Sequence, residues 1–378
     1  MNDDKSSHRE RIALVSNSAW SVYNFRLDII RHLRERYDIL VIAPDDAYSV
    51  LIEQEGCRFL PIHFNNRSEN PVRDFNLYRQ LKKIYKKERP DFIFHYVIKP
   101  NIYGSLAASA CSIKSVAVVT GLGYSFAKHN WLYRVVRFLY KRALRNAEEV
   151  WFLNNDDAGI FIREKIVNIE RMKVLPGEGI NTDYFLPDIE TGRRQHSAFS
   201  FLMSTRLLRS KGVGIYADAA RILKKRNYQV NFDLIGFFEK NHPDSVSEDE
   251  LKKWEQEGLI RYHGFAKDVR LFLKKADCFV FPSFYNEGVP RSLMEAASME
   301  LPIITSYNRG CKEVVLNNSN GFTCNLNDAF DLADKMEKMI NLPEDERIKM
   351  GKNGRALVIK KFNVSKVIRE YEHTLSKY

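Results

Sequence analysis

Short apolar runs alternate with amphipathic segments along the first half of the chain. Each run is four or five residues long and bounded by polar residues, which is typical of buried strands. The predicted strands are residues 12–15, 39–43, 59–63, 92–96, 115–119 and 150–153. The segments between them have helical spacing of apolar residues, most clearly at 24–36 and 74–88. Because strands separated by helices form parallel sheets, we predict a doubly wound α/β domain.

The same alternation starts again after residue 198. The predicted strands of this second half are residues 199–204, 230–235, 278–281 and 303–305. The predicted helices are residues 213–225, 251–257, 269–275 and 291–298, and long amphipathic helices close the chain over 328–378. The restart indicates a second α/β domain rather than a continuation of the first.

A polar segment with proline and glycine, residues 187–198, joins the two patterns and has the composition of a linker. A chain of 378 residues is also too long for one ordinary core. We therefore predict an N-terminal domain over 1–187 and a C-terminal domain over 188–361, both Rossmann-like. Open α/β sheets bind ligands outside the carboxyl ends of their strands, so we expect the two domains to face each other across a cleft.

Composition narrows the class of protein. The chain is 44% hydrophobic and 28% charged, which is ordinary for a globular protein. We expect no membrane-spanning helix, because no apolar run reaches ~18 residues, and no secretion signal, because the first residues are polar. Five scattered cysteines without a C-x-x-C pair argue against a disulfide framework or a zinc knuckle, and favour the cytoplasm.

The net charge of +11 suggests an anionic partner: nucleic acid, a membrane surface or a phosphate-bearing small molecule. Residues 92–147 contain eight Lys or Arg and no acid, and 129–147 is amphipathic. Its predicted apolar side comprises Leu132, Val135, Val136, Leu139, Tyr140 and Leu144. The candidates for contact with an anionic membrane are Trp131, Arg134, Arg137, Lys141 and Arg142. The alternative is a core helix with a solvated basic face.

The segment PSFYNEGVPRSLMEAASME, residues 282–300, carries two glutamates eight positions apart. Glu287 falls in the loop after a predicted strand, and Glu295 falls within the following helix. Carboxylates accept hydrogen bonds from hydroxyl groups, whereas the amides after Gly288 and the helix start favour a phosphate. The segment could therefore hold a phosphorylated polyol, although two glutamates at this spacing also arise by chance.

The segment STRLLRSKGV, residues 204–213, follows another predicted strand. Two cations, Arg206 and Lys211, precede a glycine that opens a helix, which is an arrangement suited to clamping a diphosphate. The alternative is a turn glycine flanked by solvated charges.

Two loops of the first half are candidates for the other side of the cleft. VTGLGYSF, residues 119–126, has Gly121 and Gly123 after a strand, where a ligand or another backbone could come close. It is not a dinucleotide-binding G-x-G-x-x-G motif. SNSAWSVYNFR, residues 16–26, is polar and offers Asn17 and Arg26.

Arg206, Lys211, Glu287, Gly288 and Glu295, in this order and context, resemble the second domain of the family 4 retaining glycosyltransferases, which have the GT-B fold. The E-x7-E spacing is the signature of that family. The resemblance continues through LPGEGINTDYFLP, YHGF, LPIITSYNRGCKEVV and NGF and covers nearly the whole chain. VTGLGYSF and EGVPRSLMEA resemble the subgroup that adds N-acetylgalactosamine or a similar hexose to an undecaprenyl-diphosphate-linked sugar.

The resemblance implies a role for each matching residue. Arg206 and Lys211 would hold the diphosphate of a UDP-sugar donor, and Glu295 would bind the ribose hydroxyls. Glu287 would bind the hexose, with the amides of neighbouring residues. The further donor-binding residues implied are Gly288, Val289, Gly236, Gly264 and Phe265. No metal or other cofactor is expected, because arginine and lysine can neutralise the leaving diphosphate.

The acceptor side is less well defined. Many relatives carry a histidine after the fourth strand of the first domain, whereas His95 falls within the predicted strand. Lys99 and Asn101 are equally good candidates, and no catalytic base is assigned. The departing phosphate could itself assist the acceptor hydroxyl. The resemblance also implies that 362–378 returns to the first domain, that the acceptor is a lipid-diphosphate-linked sugar, and that the protein binds the inner face of the cytoplasmic membrane.

Two other classes compete with the transferase. A sugar-nucleotide epimerase of the same fold would leave the basic amphipathic segment and the TGLG loop unexplained. A nucleic-acid binder would fit the net charge, but the sequence has no zinc module and no aromatic RNA-binding strand, so we expect no nucleic-acid partner.

Overall fold

A computed structural model describes residues 9–64, 71–122, 131–187, 198–239 and 242–378. The chain divides into two compact units. The first comprises Met1–Gly179 and Val364–Tyr378, and the second comprises Ile180–Asn363. Each unit is a parallel sheet with helices packed on it.

In its described residues, the first unit has a seven-stranded sheet in the order β3-β2-β1-β4-β5-β6-β7. The strands are β1 Arg11–Val15, β2 Asp38–Ala43, β3 Arg58–Pro61, β4 Phe92–Tyr96, β5 Lys114–Val119, β6 Glu149–Phe152 and β7 Met172–Val174. The helices are α1 Ala19–Leu33, α2 Ser49–Gln54, α3 Pro71–Glu88, α4 Ser105–Ser109, α5 Trp131–Ala143, α6 Asn155–Arg163 and, from the end of the chain, α13 Val364–Lys377. The strand order reverses between β1 and β4, which pair in parallel.

In its described residues, the second unit has a six-stranded sheet in the order β10-β9-β8-β11-β12-β13. The strands are β8 Phe199–Ser204, β9 Val230–Ile235, β10 Arg261–Tyr262, β11 Cys278–Phe281, β12 Ile303–Ser306 and β13 Gly321–Cys324. The helices are α7 Val213–Lys225, α8 Glu248–Gln256, α9 Arg270–Leu273, α10 Arg291–Ser298, α11 Ala329–Asn341 and α12 Glu344–Phe362. The order reverses between β8 and β11, so their carboxyl ends are the expected place for a ligand.

The division between the units lies earlier than the predicted boundary at residue 187. Ile180 N–H donates to the Phe362 carbonyl at 2.9 Å, and Ser298 Oγ donates to the Phe185 carbonyl at 2.7 Å. These bonds tie residues 180–187 to the second unit. The predicted linker falls largely on 188–197, outside the described residues. At the other end of the chain, Tyr371 of α13 is buried and its hydroxyl lies 2.8 Å from that of Tyr96.

Two local predictions of secondary structure were wrong. The first helix begins at Ala19 rather than near residue 24, because the Ser18 side chain accepts the Ser21 N–H as an N-cap. This extension makes residues 19–23 helical, although they were expected to belong to a polar loop. The strands β7, β10 and β13 were also missed, since they span only two to four residues and carry too short a pattern.

Candidate functional site

Lys211 and Glu287 meet where the strand order of the second unit reverses. Lys211 Nζ lies 2.5 Å from Glu287 Oε1, and both residues are buried. Lys211 comes from the loop after β8, and Glu287 comes from the loop after β11. A buried ammonium is costly unless it is paired, so the carboxylate holds the cation in place at this edge. The sequence predicted both residues, and the fold brings them together.

Glycines allow the loops of this edge to approach each other. Gly212 has φ +84°, and a Cβ there would lie 2.2 Å from the Pro282 carbonyl oxygen. A Cβ on Gly310 would lie 1.5 Å from the Gly288 oxygen, although its φ is ordinary. A larger residue at Gly212 would push apart the loops that carry Lys211 and Glu287, and a larger residue at Gly310 would displace the Glu287 loop.

Three polar residues that sequence reasoning missed hold these loops. Ser283 Oγ donates to Glu287 Oε1 at 2.6 Å and is itself fully buried. Asp244 accepts the Ser210 N–H at 3.0 Å and also its hydroxyl. Asn308 donates from Nδ2 to the Ser283 carbonyl at 3.3 Å. Ser283 and Asn308 lie in quoted motifs that could have identified them, whereas nothing in the sequence marks Asp244.

The Ser210 carbonyl links the two loops directly. It accepts the backbone N–H groups of Phe284 at 2.9 Å and Tyr285 at 3.1 Å. Lys211 Nζ also lies 4.8 Å from the centre of the Tyr285 ring. The ammonium position therefore depends on both loops rather than on the lysine alone.

Arg206 lies on the same loop as Lys211 and is paired with Glu239. Arg206 Nη1 donates to Glu239 Oε2 at 2.7 Å, and the two side chains are 37% and 26% exposed. Glu239 follows β9, at the same edge of the sheet. The sequence offered no reason to select this glutamate.

Glu295 lies in the first turns of α10 and pairs with Arg291 one turn earlier. Arg291 Nε donates to Glu295 Oε1 at 3.0 Å. Burial raises the pKa of the Glu295 carboxyl, and the nearby guanidinium opposes that shift. Gly288 and the buried Val289 lie in the turn just before this helix. The E-x7-E segment thus supplies one carboxylate in the loop and one on the helix.

The loops after β9 and β10 adjoin each other, as the predicted base-binding residues require. Gly236 N–H donates to the Gly264 carbonyl at 2.9 Å. A Cβ on Gly236 would lie 1.8 Å from the Thr205 oxygen, and its φ of +153° also favours glycine. Phe265 is 51% exposed, and its ring meets that of Phe237 edge-on at 5.9 Å. An exposed aromatic face here can stack on a planar ligand.

His95 does not reach the sheet edge, which corrects its assignment as a cleft residue. It lies within β4 and is fully buried. Its Nε2 is 2.9 Å from the Tyr85 hydroxyl, and its Nδ1 is 3.4 Å from the Ser105 hydroxyl. Burial lowers the pKa of the imidazole to about 3. A neutral histidine whose two nitrogens are both occupied is a structural residue.

Asn101 and Lys99 also have structural partners. Asn101 lies in the π-helical turn Pro100–Gly104, is fully buried and donates to the Val118 carbonyl at 2.9 Å. Its assignment as a cleft residue is therefore wrong as well. Lys99 Nζ lies 2.5 Å from Asp74 Oδ1 of α3, with only 13% of its side chain exposed.

The remaining predictions for the first unit have mixed outcomes. Arg26 is buried, with its guanidinium 3.9 Å from the Tyr96 ring centre and 2.8 Å from Glu178 Oε1, which corrects its assignment as a cleft residue. Asn17 is half-buried at the end of β1 and accepts the Ser21 hydroxyl at 3.5 Å. Gly121 has φ +146°, as a glycine-requiring turn predicts. Gly123 lies outside the described residues.

Helix α5 exposes a face that is both basic and apolar. Arg134, Lys141 and Arg142 are exposed, whereas Arg137 is held by Glu164 at 2.9 Å. Val135 is 43% exposed, which corrects its assignment to the buried side, and Phe138 is 68% exposed. The buried side is formed by Tyr133, Val136, Tyr140 and Ala143. The side chain of Trp131 lies outside the described part of the chain.

In the described residues, no helix has the length and apolar character needed to cross a membrane.

Two family models match the chain. The model described as glycosyl transferases group 1 matches residues 188–357, which include all of the paired charges in the second unit described above. The model described as glycosyl transferase 4-like matches residues 11–154 of the first unit.

Two curated relatives cover most of the chain. It is 30% identical over 355 residues to the N,N'-diacetylbacillosaminyl-diphospho-undecaprenol alpha-1,3-N-acetylgalactosaminyltransferase of Campylobacter jejuni, covering 90% of this chain and 91% of that one. It is 26% identical over 348 residues to the UDP-Gal:alpha-D-GlcNAc-diphosphoundecaprenol alpha-1,3-galactosyltransferase of Escherichia coli, covering 88% and 87%.

A solved structure has the same fold. The crystal structure of Anabaena HepE in complex with UDP-glucose superposes with a TM-score of 0.81 at 21% identity, over 97% of this chain and 100% of that one. The prediction of two doubly wound, Rossmann-like domains is confirmed.

Proposed function

The chain belongs to the family 4 glycosyltransferases of GT-B fold, and on that premise we propose that it is a retaining hexosyltransferase using a UDP-sugar donor. The acceptor is an undecaprenyl-diphosphate-linked saccharide. The best candidate for the transferred hexose is N-acetylgalactosamine or a related sugar. The product serves the assembly of a bacterial surface polysaccharide or glycan.

The buried pair of Lys211 and Glu287 carries this proposal. The donor must lose a nucleoside diphosphate, and negative charge grows on that diphosphate as the glycosidic bond breaks. The Lys211 ammonium, 2.5 Å from Glu287 and buried, is a preorganised positive charge of the kind this step requires. Glu287 accepts hydrogen bonds from the hexose hydroxyls, oriented by the Ser283 hydroxyl at 2.6 Å. With Arg206 as a second cation, the reaction needs no metal.

The neighbouring groups complete a donor site. Glu295 binds the ribose hydroxyls, and the amides of Gly288 and Val289 face the phosphate at the start of α10. The base lies along the Gly236 and Gly264 turns and stacks on the exposed face of Phe265. The base turns follow β9 and β10, the two cations follow β8, and the two glutamates follow β11, so all of these groups lie at one edge of the sheet.

The names of the two relatives support the acceptor and leave the hexose open. Both act on sugars linked to undecaprenol through a diphosphate, as their names state. The Campylobacter protein transfers N-acetylgalactosamine and the Escherichia protein transfers galactose from UDP-Gal. A galacto-configured hexose is therefore the first donor to test. One or two hydrogen bonds distinguish such epimers, so the donor must be measured.

The decisive experiment follows release of nucleoside diphosphate from UDP-GalNAc, UDP-GlcNAc, UDP-Gal, UDP-Glc, GDP-mannose and GDP-fucose, with and without membrane lipid extract. We expect lipid-dependent release from one UDP-sugar and its loss in Glu287→Ala. Because alanine leaves Lys211 without its carboxylate, Glu287→Gln is the second variant, and Glu257→Gln, which alters a partly exposed pair with Arg221, is the control. Lipid-independent formation of an epimerised sugar nucleotide would instead identify an epimerase, and release from no donor would contradict the proposal.

We further propose that the exposed face of α5 binds the anionic inner surface of the cytoplasmic membrane, where the lipid-linked acceptor resides. Three exposed basic residues surround Phe138, whose ring is 68% exposed. Basic residues are attracted to anionic lipid, and an aromatic ring gains free energy by entering the interface.

Sedimentation with phosphatidylglycerol and phosphatidylcholine vesicles tests the membrane face. We expect binding to the anionic vesicles only, and its loss in the Arg134→Glu/Lys141→Glu double variant. The matched control, Lys252→Glu/Lys253→Glu, makes the same change of charge on exposed residues of α8 and is expected to bind normally. Equal loss of vesicle binding in both variants would show that net charge alone causes binding, and would contradict a defined membrane-binding face on α5.

A further inference from the structure

Three carboxylates from the segment after β9 hold the loop that carries Lys211. Glu239 pairs with Arg206, Asp244 accepts two hydrogen bonds from Ser210, and Glu250 pairs with Arg209. Among these three carboxylates, only Glu239 pairs with a residue that binds the donor in the proposed function, namely Arg206. The other two bind groups that fix the loop itself.

The two ion pairs differ in geometry. Arg209 makes two hydrogen bonds of 2.6 Å to the two oxygens of Glu250, an arrangement that fixes both side chains. Arg206 donates to Glu239 through Nη1 at 2.7 Å, and both partners are partly exposed. A solvent-accessible pair of this kind contributes little to stability and can exchange partners at low cost.

The charges at this edge cancel before a donor arrives there. Lys211 is paired with Glu287 and Arg206 is paired with Glu239, so the four formal charges sum to zero. A nucleoside diphosphate brings at least two negative charges to the same two cations. It must share or displace the carboxylates, and Glu239 is the more exposed of the two.

We propose that Glu239 competes with the donor diphosphate for the Arg206 guanidinium, and so weakens the binding of both the UDP-sugar and the released UDP. The inference rests on the proposed function, in which Arg206 holds the diphosphate. Glu239 is thus a residue that tunes donor affinity and product release, rather than one that takes part in bond breaking. Returning Arg206 to Glu239 lowers the cost of releasing UDP, and product release often limits turnover.

Calorimetric titration with UDP tests the competition. We expect Glu239→Gln to bind UDP about fivefold more tightly than the wild type, the upper range for loss of one exposed ion pair. The gain should shrink at high salt, because the competing charges are solvent-accessible. The KM for the donor should fall in parallel while kcat stays level or falls. The matched control is Glu257→Gln, which removes a partly exposed pair with Arg221 outside the loop of Lys211 and should leave UDP affinity unchanged.

The Arg206→Ala background separates the possible failures. We expect Glu239→Gln to change nothing there, because the contested guanidinium is gone. If Arg206→Ala weakens UDP binding but Glu239→Gln leaves it equal or weaker, the competition is refuted and the donor site stands. If the wild type binds UDP and Arg206→Ala has no effect, the role of Arg206 in the proposed function fails and the inference fails with it. Equal tightening in Glu239→Gln and Glu257→Gln would indicate a general charge effect and would also refute the competition.

Discussion

Two lysine–carboxylate pairs of nearly equal geometry lie in the two units of this protein, and they join different kinds of element. In the second unit, Lys211 and Glu287 are 2.5 Å apart and join loops that follow two neighbouring strands. In the first unit, Lys99 and Asp74 are also 2.5 Å apart, but they join the turn after β4 to helix α3. The distance alone does not distinguish a ligand-binding pair from a pair that only stabilises the fold. Both lysines follow a strand at a reversal of strand order, and the difference is that Glu287 lies in the loop after the neighbouring strand whereas Asp74 lies on a helix.

The same contrast applies to the other residues selected in each unit. In the second unit, Arg206, Lys211 and Glu287 lie in loops after strands and are held by partners on other loops, whereas Glu295 pairs within α10. In the first unit, His95, Asn101 and Arg26 lie within or beside regular elements and are buried by the core. Buried polar groups must be hydrogen-bonded, so a polar residue within an apolar strand is usually explained by its own partners.

Replacing the two lysines gives the largest expected difference. Lys211→Gln should lower kcat/KM by ~100- to 1,000-fold, because a preorganised charge facing the leaving diphosphate is lost. Lys99→Gln removes a pair of the same length and should lower kcat/KM by less than about tenfold while reducing thermal stability. Initial rates on matched amounts of folded protein provide the measurement. Comparable losses in both variants would show that Lys99 also serves the reaction.

Replacing two crowded glycines comes next. Gly310→Ala should lower kcat/KM by about 100-fold, since a Cβ 1.5 Å from the Gly288 oxygen must displace the E-x7-E loop. Gly351→Ala creates a similar clash, 2.1 Å from the Glu300 oxygen, at the far end of α10. It should cost a comparable ~1–3 kcal/mol of stability with near-normal turnover. Melting curves and initial rates of both variants test this difference. Equal losses of kcat/KM would show that displacing the E-x7-E loop has no particular effect on the reaction.

Glu295 should have a smaller and more selective effect. Glu295→Gln weakens hydrogen bonds to the ribose hydroxyls, so the donor KM should rise about tenfold with kcat little changed. Because burial raises the pKa of this carboxyl, protonation begins at a higher pH than for an ordinary glutamate. The wild-type KM should therefore rise as the pH falls, while that of Glu295→Gln stays flat. Rate measurements across pH test this, and parallel profiles would contradict it.

His95 should have the smallest effect on catalysis and a clear effect on stability. His95→Gln should leave kcat/KM of the folded enzyme unchanged. The folded imidazole has a pKa of about 3, below the unfolded value, so the unfolded chain gains a proton first as the pH falls. The free energy of unfolding should then decrease from about pH 6.5 downward, by up to ~1.4 kcal/mol per pH unit.

Denaturant titrations of the wild type and His95→Gln between pH 7 and pH 4 isolate this contribution, since other carboxylates titrate equally in both. A difference in stability that does not change with pH would refute the assignment. A loss of rate beyond the loss of folded protein would restore His95 to the reaction.

The sequence was sufficient for the fold and for the charged residues of the second unit. Periodicity located most strands, because a buried parallel strand is a continuous apolar run between polar loops. The resemblance then selected Arg206, Lys211, Glu287 and Glu295. All four lie in loops or near a helix start, and their order in the motif was enough to predict which strand each one follows. Short strands such as β10, and the early start of α1 at its Ser18 cap, carried too little signal.

Only the tertiary structure decided which partners those residues have. Glu239, Asp244 and Asn308 lie 25 to 34 positions from Arg206, Ser210 and Ser283, and nothing in the local sequence marks Glu239 or Asp244. The tertiary structure also showed that Lys211 and Lys99 pair with different kinds of element, and that Val135 lies on the exposed side of α5. The physical reason is that local sequence sets which face of an element is apolar, whereas the cost of burying a charge or hydroxyl depends on groups that folding brings from elsewhere.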